Sequence, residues 1–377
     1  MFASTLLGIQ AVPVRSFLLS TYGGQNFSME CDSLMMSSLL GEMSIPRDLT
    51  FLMSYNTSAF HPNRNNPGVL RCLLNRPENF YKPELFSSTS VSLKSFRSKL
   101  MHHYSSMDRT QPAFIFISGH GNAKMVFFNN GNVIFSDELE TLLDIIAVGF
   151  RTVFVVLDSC KSGSLFEGIK LPANVIALTS SNSTARSYSC SLTWHPKVGD
   201  YLAGSSEFTS SFFKGMKFLN TKDTTAQALF NYLDNTMLLS GPQIFGTEEM
   251  RNKKIEELFG TSVVLGDGVG SPPKSECHLD GFKRSRGGSN LLSPEIKFIT
   301  EILMKNVSYQ YRLAKELKLS EKLSFPLTVC YKQSIRHFID KCLDNTVHST
   351  ISLEFFENLC SIFDKDDLLK AIHSTCD

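Results

Sequence analysis

Two short stretches of the chain end apolar runs in residues that do chemistry. Residues 113–122 read AFIFISGHGN, an apolar run closing on Gly119-His120-Gly121. Residues 153–164 read VFVVLDSCKSGS, a second apolar run closing on Asp158-Ser159-Cys160 and then a glycine. A thiol is a poor nucleophile until it ionises, and imidazole is the usual base that takes its proton. Such a pair needs rigid, neighbouring supports, and the ends of adjacent strands supply them. Glycines beside the histidine let a substrate backbone come close. Backbone N–H groups near Gly121 and Cys160 would then face a developing oxyanion. Taken singly, a histidine after a strand is more often a hydrogen-bonded loop residue, and a cysteine there a small buried hydrophobe. Their occurrence on successive strand ends puts a cysteine nucleophile, with His120 as its base, on an equal footing with those plainer readings.

The elements that must position this pair follow from periodicity. Apolar runs predict strands at 14–19, 50–54, 113–117, 153–157 and 174–178. Between the third and fourth lies SDELETLLDIIAV, in which Leu139, Leu142, Leu143 and Ile146 fall on one helical face. Ser136 is placed to cap that helix, with Asp137 and Glu138 in its first turn. Strand, helix, strand in that order predicts a parallel α/β sheet, whose sites lie at the carboxyl ends of strands. If the runs at 113–117 and 153–157 are neighbours, His120 and Cys160 share one end of the sheet.

Composition narrows the classes. The chain has 377 residues, 42% hydrophobic and 19% charged, as in a folded protein of more than one domain. A formal net charge of +1 gives no bulk drive toward nucleic acid or acidic membranes. No apolar window is long enough for a transmembrane helix. Residues 1–13 are apolar but lack a basic start, and read either as a weak leader or as an ordinary flanking segment.

The remainder divides at 266–292, a stretch rich in Gly, Pro, Ser and basic residues that reads as an exposed, easily cut linker. Ser293-Pro294-Glu295 opens a helical segment running to 377. Of the nine cysteines, Cys330, Cys342, Cys360 and Cys376 cluster in this tail. They suggest a disulfide-stapled module from an oxidising compartment, with three possible pairings. Zinc fits less well, because the short ligand spacings are missing. Sequons beginning at Asn26, Asn56, Asn182 and Asn306 point weakly to the secretory route.

FISGHGN followed by FVVLDSCKSGSLFEGI resembles the legumain (asparaginyl endopeptidase) family of cysteine peptidases. The likeness extends through NNPGVLRCLLNRPENFY (65–81), NVIALTSSNSTARSYSC (174–190), GDYLAGSSEFTSSFF (199–213) and PQIFG (242–246). The tail CYKQSIRHFIDKC…LC…STC is similar to that family's C-terminal prodomain. The resemblance implies a caspase–haemoglobinase-like, mainly parallel sheet flanked by helices over 14–265. A small all-α, death-domain-like prodomain would occupy 293–377 and act as autoinhibitor. Cys160 would be nucleophile and His120 base, with Gly121 and Cys160 forming the oxyanion hole and no cofactor or metal needed. Partners would be protein or peptide substrates cleaved after Asn, with Asp as a second choice. The implied disulfides are Cys330–Cys360 and Cys342–Cys376. The implied setting is the secretory pathway, either an acidic lysosome- or vacuole-like compartment or secretion.

The same resemblance places Asp158 and Asp200 as acidic walls of the substrate pocket, with Ser187 and Tyr188 on its lining strand. This chain departs from the pattern at Ser28 and Met29, where the family carries Arg-His, and at Tyr22, where it carries an Asn that orients the histidine. Arg186, beside Ser187, is the replacement expected to return a positive charge to the pocket; an exposed surface arginine is the plainer alternative. Activation cleavage would fall at Asp267, Asp280 or Asn290, or at the KRSRGG run by a trypsin-like enzyme. The competing readings are a binding protein on a catalytically impaired scaffold and a GPI-transamidase-like catalytic subunit. The four-cysteine tail disfavours the latter.

Overall fold

A computed structural model describes residues 12–23, 27–60, 67–73, 78–129, 131–188, 193–195, 200–202 and 204–266. Almost all of the leader, the linker and the tail with its four cysteines lie outside the described residues, as does Asn26.

In chain order the elements are β1 (Arg15–Ser20), α1 (Phe27–Glu42), β2 (Thr50–Met53), α2 (Leu93–His103) and β3 (Asp108–Ser118). Then come β4 (Gly121–Asn122), β5 (Met125–Phe127), β6 (Val133–Phe135), α3 (Ser136–Gly149), β7 (Phe150–Asp158) and β8 (Val175–Thr179). The series closes with β9 (Thr193–His195), β10 (Asp200–Leu202), α4 (Glu207–Phe218), α5 (Ala226–Thr236), β11 (Gln243–Phe245), α6 (Glu248–Arg251) and α7 (Ile255–Phe259).

The main sheet has six strands in the order β11-β8-β7-β3-β1-β2. All its pairings are parallel except β11 on β8. The fold is therefore α/β, with helices on both faces of a mainly parallel sheet. Burial on both faces explains the near-continuous apolar runs of β3 and β7. On one face Phe114, Phe116, Phe154 and Val156 pack with α1, α4 and α5. On the other Ile115, Ile117, Val153, Val155 and Leu157 pack with α2 and α3. That alternation is the period of two of a strand, used here to fill two cores. Phe154 is 1% exposed, so its replacement by Ala is expected to remove roughly 3–5 kcal/mol.

The five strands expected from the apolar runs all form. β3 begins earlier than its apolar run, at Asp108, with an irregularity in its pairing between Asp108 and Pro112. The helix over 136–149 forms too, but Ser136 does not cap it. The cap position is Phe135, with no side-chain hydrogen bond, because β6 runs straight into the helix. Ser136 is already its first residue, and its amide donates to the Lys124 carbonyl at 3.0 Å.

α1 is buried on nearly every side. Cys31, Leu34, Met35, Met36, Leu39 and Leu40 are all essentially inaccessible, and Ser33 and Ser37 are buried with them. Cys31 forms a disulfide with Cys72, 41 residues on. Asp32 and Glu30 are buried on the same helix. Glu30 accepts bonds from the Thr57 and Ser58 amides, which holds the turn after β2. Among the described residues, no helix is long and apolar enough to cross a membrane.

Candidate active site

β3 and β7 are adjacent and parallel, and their last residues, Ser118 and Asp158, face each other in register. His120 and Cys160 each lie two residues beyond that pair. The Gly119 amide donates to the Asp158 carbonyl at 3.0 Å, so the two loops leave the sheet together. The glycines have a reason inside the protein. A Cβ on Gly119 would collide with the Thr21 hydroxyl, and one on Gly121 would lie 2.6 Å from the Cys160 carbonyl oxygen. Any larger residue at 121 would push the histidine loop off the cysteine loop.

His120 is partly buried. Its ring meets that of Tyr22 edge to face, with centroids 4.6 Å apart. Tyr22, which stands where the resemblance expects an Asn, thus packs against the imidazole. Its own backbone is held by the Ser20 hydroxyl, which donates to the Tyr22 carbonyl at 2.6 Å. Burial holds the imidazole below its ordinary pKa.

Cys160 is partly buried and outside any disulfide. Its thiol points at the Ser187 carbonyl oxygen, 3.5 Å away. Burial pushes the thiol up, while the Ser187 contact and the charges of Arg186 and Lys161 oppose the shift; Asp158 adds to it. Lys161 follows in a left-handed conformation, φ 53°, which a side-chain-bearing residue adopts at a cost of about 1 kcal/mol. Its amide is fixed by the Ala185 carbonyl at 2.8 Å. Beneath lies a bed of buried hydroxyls. Ser180 and Ser181 both donate to the Ser159 carbonyl, at 3.2 and 2.9 Å, and Ser181 accepts from the Ser162 amide at 3.1 Å. The nucleophile's turn is therefore held by short polar side chains with little rotamer freedom.

Asp158 is 3% exposed. One carboxylate oxygen accepts from Ser187 Oγ at 2.8 Å; the other accepts from Thr209 Oγ1 at 2.7 Å and from Ser206 Oγ. Burial raises its pKa, and the hydroxyl donors pull it back. A second acid, Asp32, is 1% exposed and its pKa is held well above the carboxylate range, first by burial and then by the charge of Asp158. It accepts from Ser118 Oγ at 2.7 Å and from the Ser206 amide at 2.8 Å. Two desolvated acids this close do not share full charge readily, which favours a proton on one of them.

Ser187 joins the two halves, its carbonyl on the thiol and its hydroxyl on Asp158. The next residue, Tyr188, is fixed through its backbone: its amide donates to Ser240 Oγ at 3.1 Å and its carbonyl accepts from the Glu207 amide at 2.8 Å. Buried Glu207 in turn accepts from the Leu238, Leu239 and Ser240 amides, at 2.7, 3.1 and 2.9 Å. Segment 186–188 is thereby pinned on both sides.

Of the residues read from sequence, His120, Gly121, Asp158, Cys160 and Ser187 are gathered at one end of the sheet. Arg186 is exposed beside them, its charge felt at the thiol. Asp200 begins β10, and its side chain lies outside the described residues. Ser28 is partly buried and Met29 is 8% exposed. Sequence reasoning missed Asp32, Ser206, Thr209 and Glu207. The two acids Glu30 and Asp32, close together among apolar residues at the start of α1, were the available signal for Asp32. Ser206-Glu207 carries a helix-start signature, Ser capping and an acid in the first turn. Among the described residues, no cluster of His, Cys, Asp and Glu is arranged to hold a metal ion.

A mainly parallel sheet thus carries a Gly-flanked histidine and a cysteine just past the ends of adjacent strands, an arrangement open to cysteine-nucleophile chemistry. Residues 21–262 match the sequence pattern of the Peptidase C13 family, and the chain belongs to that family of cysteine peptidases. It is similar to legumain of Homo sapiens, 20% identical across 91% of this chain and 89% of that protein. It is also similar to a vacuolar-processing enzyme of Citrus sinensis, 25% identical across 45% of this chain and 37% of that protein. A solved structure of caspase-1 from Spodoptera frugiperda aligns with 63% of this chain and 87% of its own, at 9% identity and a TM-score of 0.41.

Proposed function

We propose that the chain is a cysteine endopeptidase that cleaves after Asn, with Asp as a second choice, through Cys160 and His120. The observation that carries the reading is the parallel register of Ser118 with Asp158, which sets both chemical residues two positions beyond one level of the sheet. Burial lowers the His120 pKa and raises that of Cys160, which shifts both toward their neutral forms. In the reaction His120 takes the thiol proton as sulfur attacks the substrate carbonyl carbon. Backbone amides at Gly121 and Cys160 face the oxyanion. Collapse expels the amine, which receives the proton from His120 and leaves a thioester on Cys160. Water, deprotonated by the same imidazole, releases the acid and restores the thiol. Asp158 and Asp200 act as pocket walls, and Arg186 supplies the cation that the family draws from the position held here by Ser28. The tail 293–377 acts as an inhibitory prodomain, removed by cleavage within 266–292 in an acidic compartment of the secretory route or outside the cell. The names of the legumain and vacuolar-processing relatives support this setting.

The deciding experiment uses matched fluorogenic peptides ending in Asn, Asp, Ala and Arg, with acid-treated protein and Cys160→Ala as control. Cysteine-dependent cleavage after Asn supports the proposal; cleavage after another residue means a retuned pocket. One observation favours a second reading, a binding protein on the same scaffold: burial shifts both members of the pair toward their neutral forms, and Ser28 and Met29 stand where the family carries Arg-His. No cleavage at any pH, with the tail demonstrably removed, would select it.

A further inference from the structure

Residues Ser205 and Ser206 form the turn that leads into α4, and successive amides of that turn are held from the two sides of one disulfide. The Ser205 amide donates to the Cys72 carbonyl at 3.0 Å. The Ser206 amide donates to Asp32, the neighbour of Cys31, at 2.8 Å. Ser206 then does two things with one hydroxyl. It accepts from the Thr209 amide at 2.9 Å, capping α4, and donates to Asp158. The other oxygen of Asp32 takes the Ser118 hydroxyl, at the end of β3. A buried carboxylate with two donors from two distant segments is costly to desolvate, and its retention here has a geometric use.

Building on the peptidase reading above, the geometry points to Asp32 as a specificity-determining positioning residue, which fixes Asp158 in the substrate pocket through the Ser206 turn. It touches neither substrate nor thiol. It sets where Ser206 Oγ sits, and Ser206 Oγ sets one oxygen of Asp158. The other oxygen is bound by Ser187, whose carbonyl meets the Cys160 thiol. Misplacing Asp158 weakens binding of the residue before the scissile bond while leaving the thiol and imidazole in place.

The test compares Asp32→Ala with Asp32→Asn in the full chain, activated as the wild type is. An asparagine can still accept from the Ser206 amide and can donate to Ser118 Oγ, so it keeps both links without the charge. Asp32→Ala is expected to raise KM for the Asn peptide roughly tenfold, with kcat and the alkylation rate of Cys160 within about twofold of wild type. Asp32→Asn is expected to restore KM to within about threefold. Hydrogen exchange across 204–210 gives a readout that needs no activity: faster in Asp32→Ala, unchanged in Asp32→Asn. Unchanged exchange in Asp32→Ala overturns the proposal whether or not the wild type cleaves. So does an unchanged KM, or an Asn variant as impaired as the Ala variant, since charge rather than position would then be at work. A wild type that shows the exchange pattern but cleaves nothing overturns the peptidase reading and the specificity role with it, leaving only the clamp.

Discussion

The two ends of the central sheet each bury a histidine against aromatic rings, and only one of them is built for chemistry. His103 closes α2 near the start of β1 and β2. Its ring lies 6.1 Å from Phe17, 5.7 Å from Phe51 and 5.1 Å from Tyr104, centroid to centroid. Burial first, and the Arg15 charge second, push its pKa down to about 4. His120, past the opposite end, meets the ring of Tyr22, sits between glycines and keeps a partly open face. Both imidazoles are driven toward the neutral form by desolvation. The difference lies in what stands beside them: packed rings in one case, a thiol turn and a pinned peptide segment in the other. A lowered histidine pKa is thus not itself a mark of catalysis.

Substitutions at the two histidines should separate these roles most sharply. Cys160→Ala or His120→Ala is expected to cut cleavage of the Asn peptide roughly a thousandfold or more. His103→Phe should leave kcat/KM within about twofold, because its ring touches nothing at the site. An activity loss at His103 in folded protein would erase the contrast.

The next effect is on stability. Above pH 6.5 both folded and unfolded chains carry His103 neutral. As pH falls, the unfolded chain binds the proton first, so stability drops until the folded imidazole titrates near pH 4. The loss over that window is about 3 kcal/mol. Relative to His103→Phe, the wild type should lose this much more between pH 7 and 4 in urea titrations. Parallel pH curves for the two proteins would contradict the assignment. Asp32 and Asp158 act in the opposite direction, their raised values lowering stability as pH rises, but they are common to both proteins.

A smaller effect is expected at Tyr22. Tyr22→Ala frees the imidazole to rotate and should lower kcat about tenfold, with KM little changed. Tyr22→Phe keeps the ring and should be near wild type; if it is as poor as Ala, the hydroxyl rather than the ring does the orienting. The smallest effect concerns Arg186. Its charge opposes the upward shift of the thiol, so Arg186→Ala should slow iodoacetamide labelling of Cys160 at fixed pH by a few fold. Unchanged labelling would make it an ordinary surface arginine.

Much of this was legible in the sequence because parallel strands buried on both faces write themselves as uninterrupted apolar runs. The runs ending at Ser118 and near Asp158 marked which residues follow strand ends, and the β-α-β order suggested a parallel sheet; the adjacency of the two strands and the register of Ser118 with Asp158 are set by the tertiary fold. The small sheet of β4, β5 and β6 was not legible, since its strands of two or three residues carry no period. The pairing of Cys31 with Cys72 was hidden for another reason. Nothing in spacing links a cysteine inside a buried helix to one in a loop 41 residues later. Asp32 was equally silent as a role, because its donors come from Ser118 and Ser206, which only the tertiary fold brings together.

The Cys31–Cys72 bridge carries a record of where the chain has been. Both residues are at most 1% exposed, so neither an oxidant nor a thiol reductant reaches the sulfurs once the core has closed. The bond must form while α1 is still open to solvent, and afterwards it survives transfer to a reducing solution until the core opens. In the chain-entropy account, closing a loop of 41 residues disfavours the unfolded chain by about 4 kcal/mol. Material synthesised where thiols stay reduced would enter the fold without that contribution, and the omission could not be repaired later without unfolding. The covalent state of this pair therefore reports the compartment of folding rather than the compartment in which the protein is found.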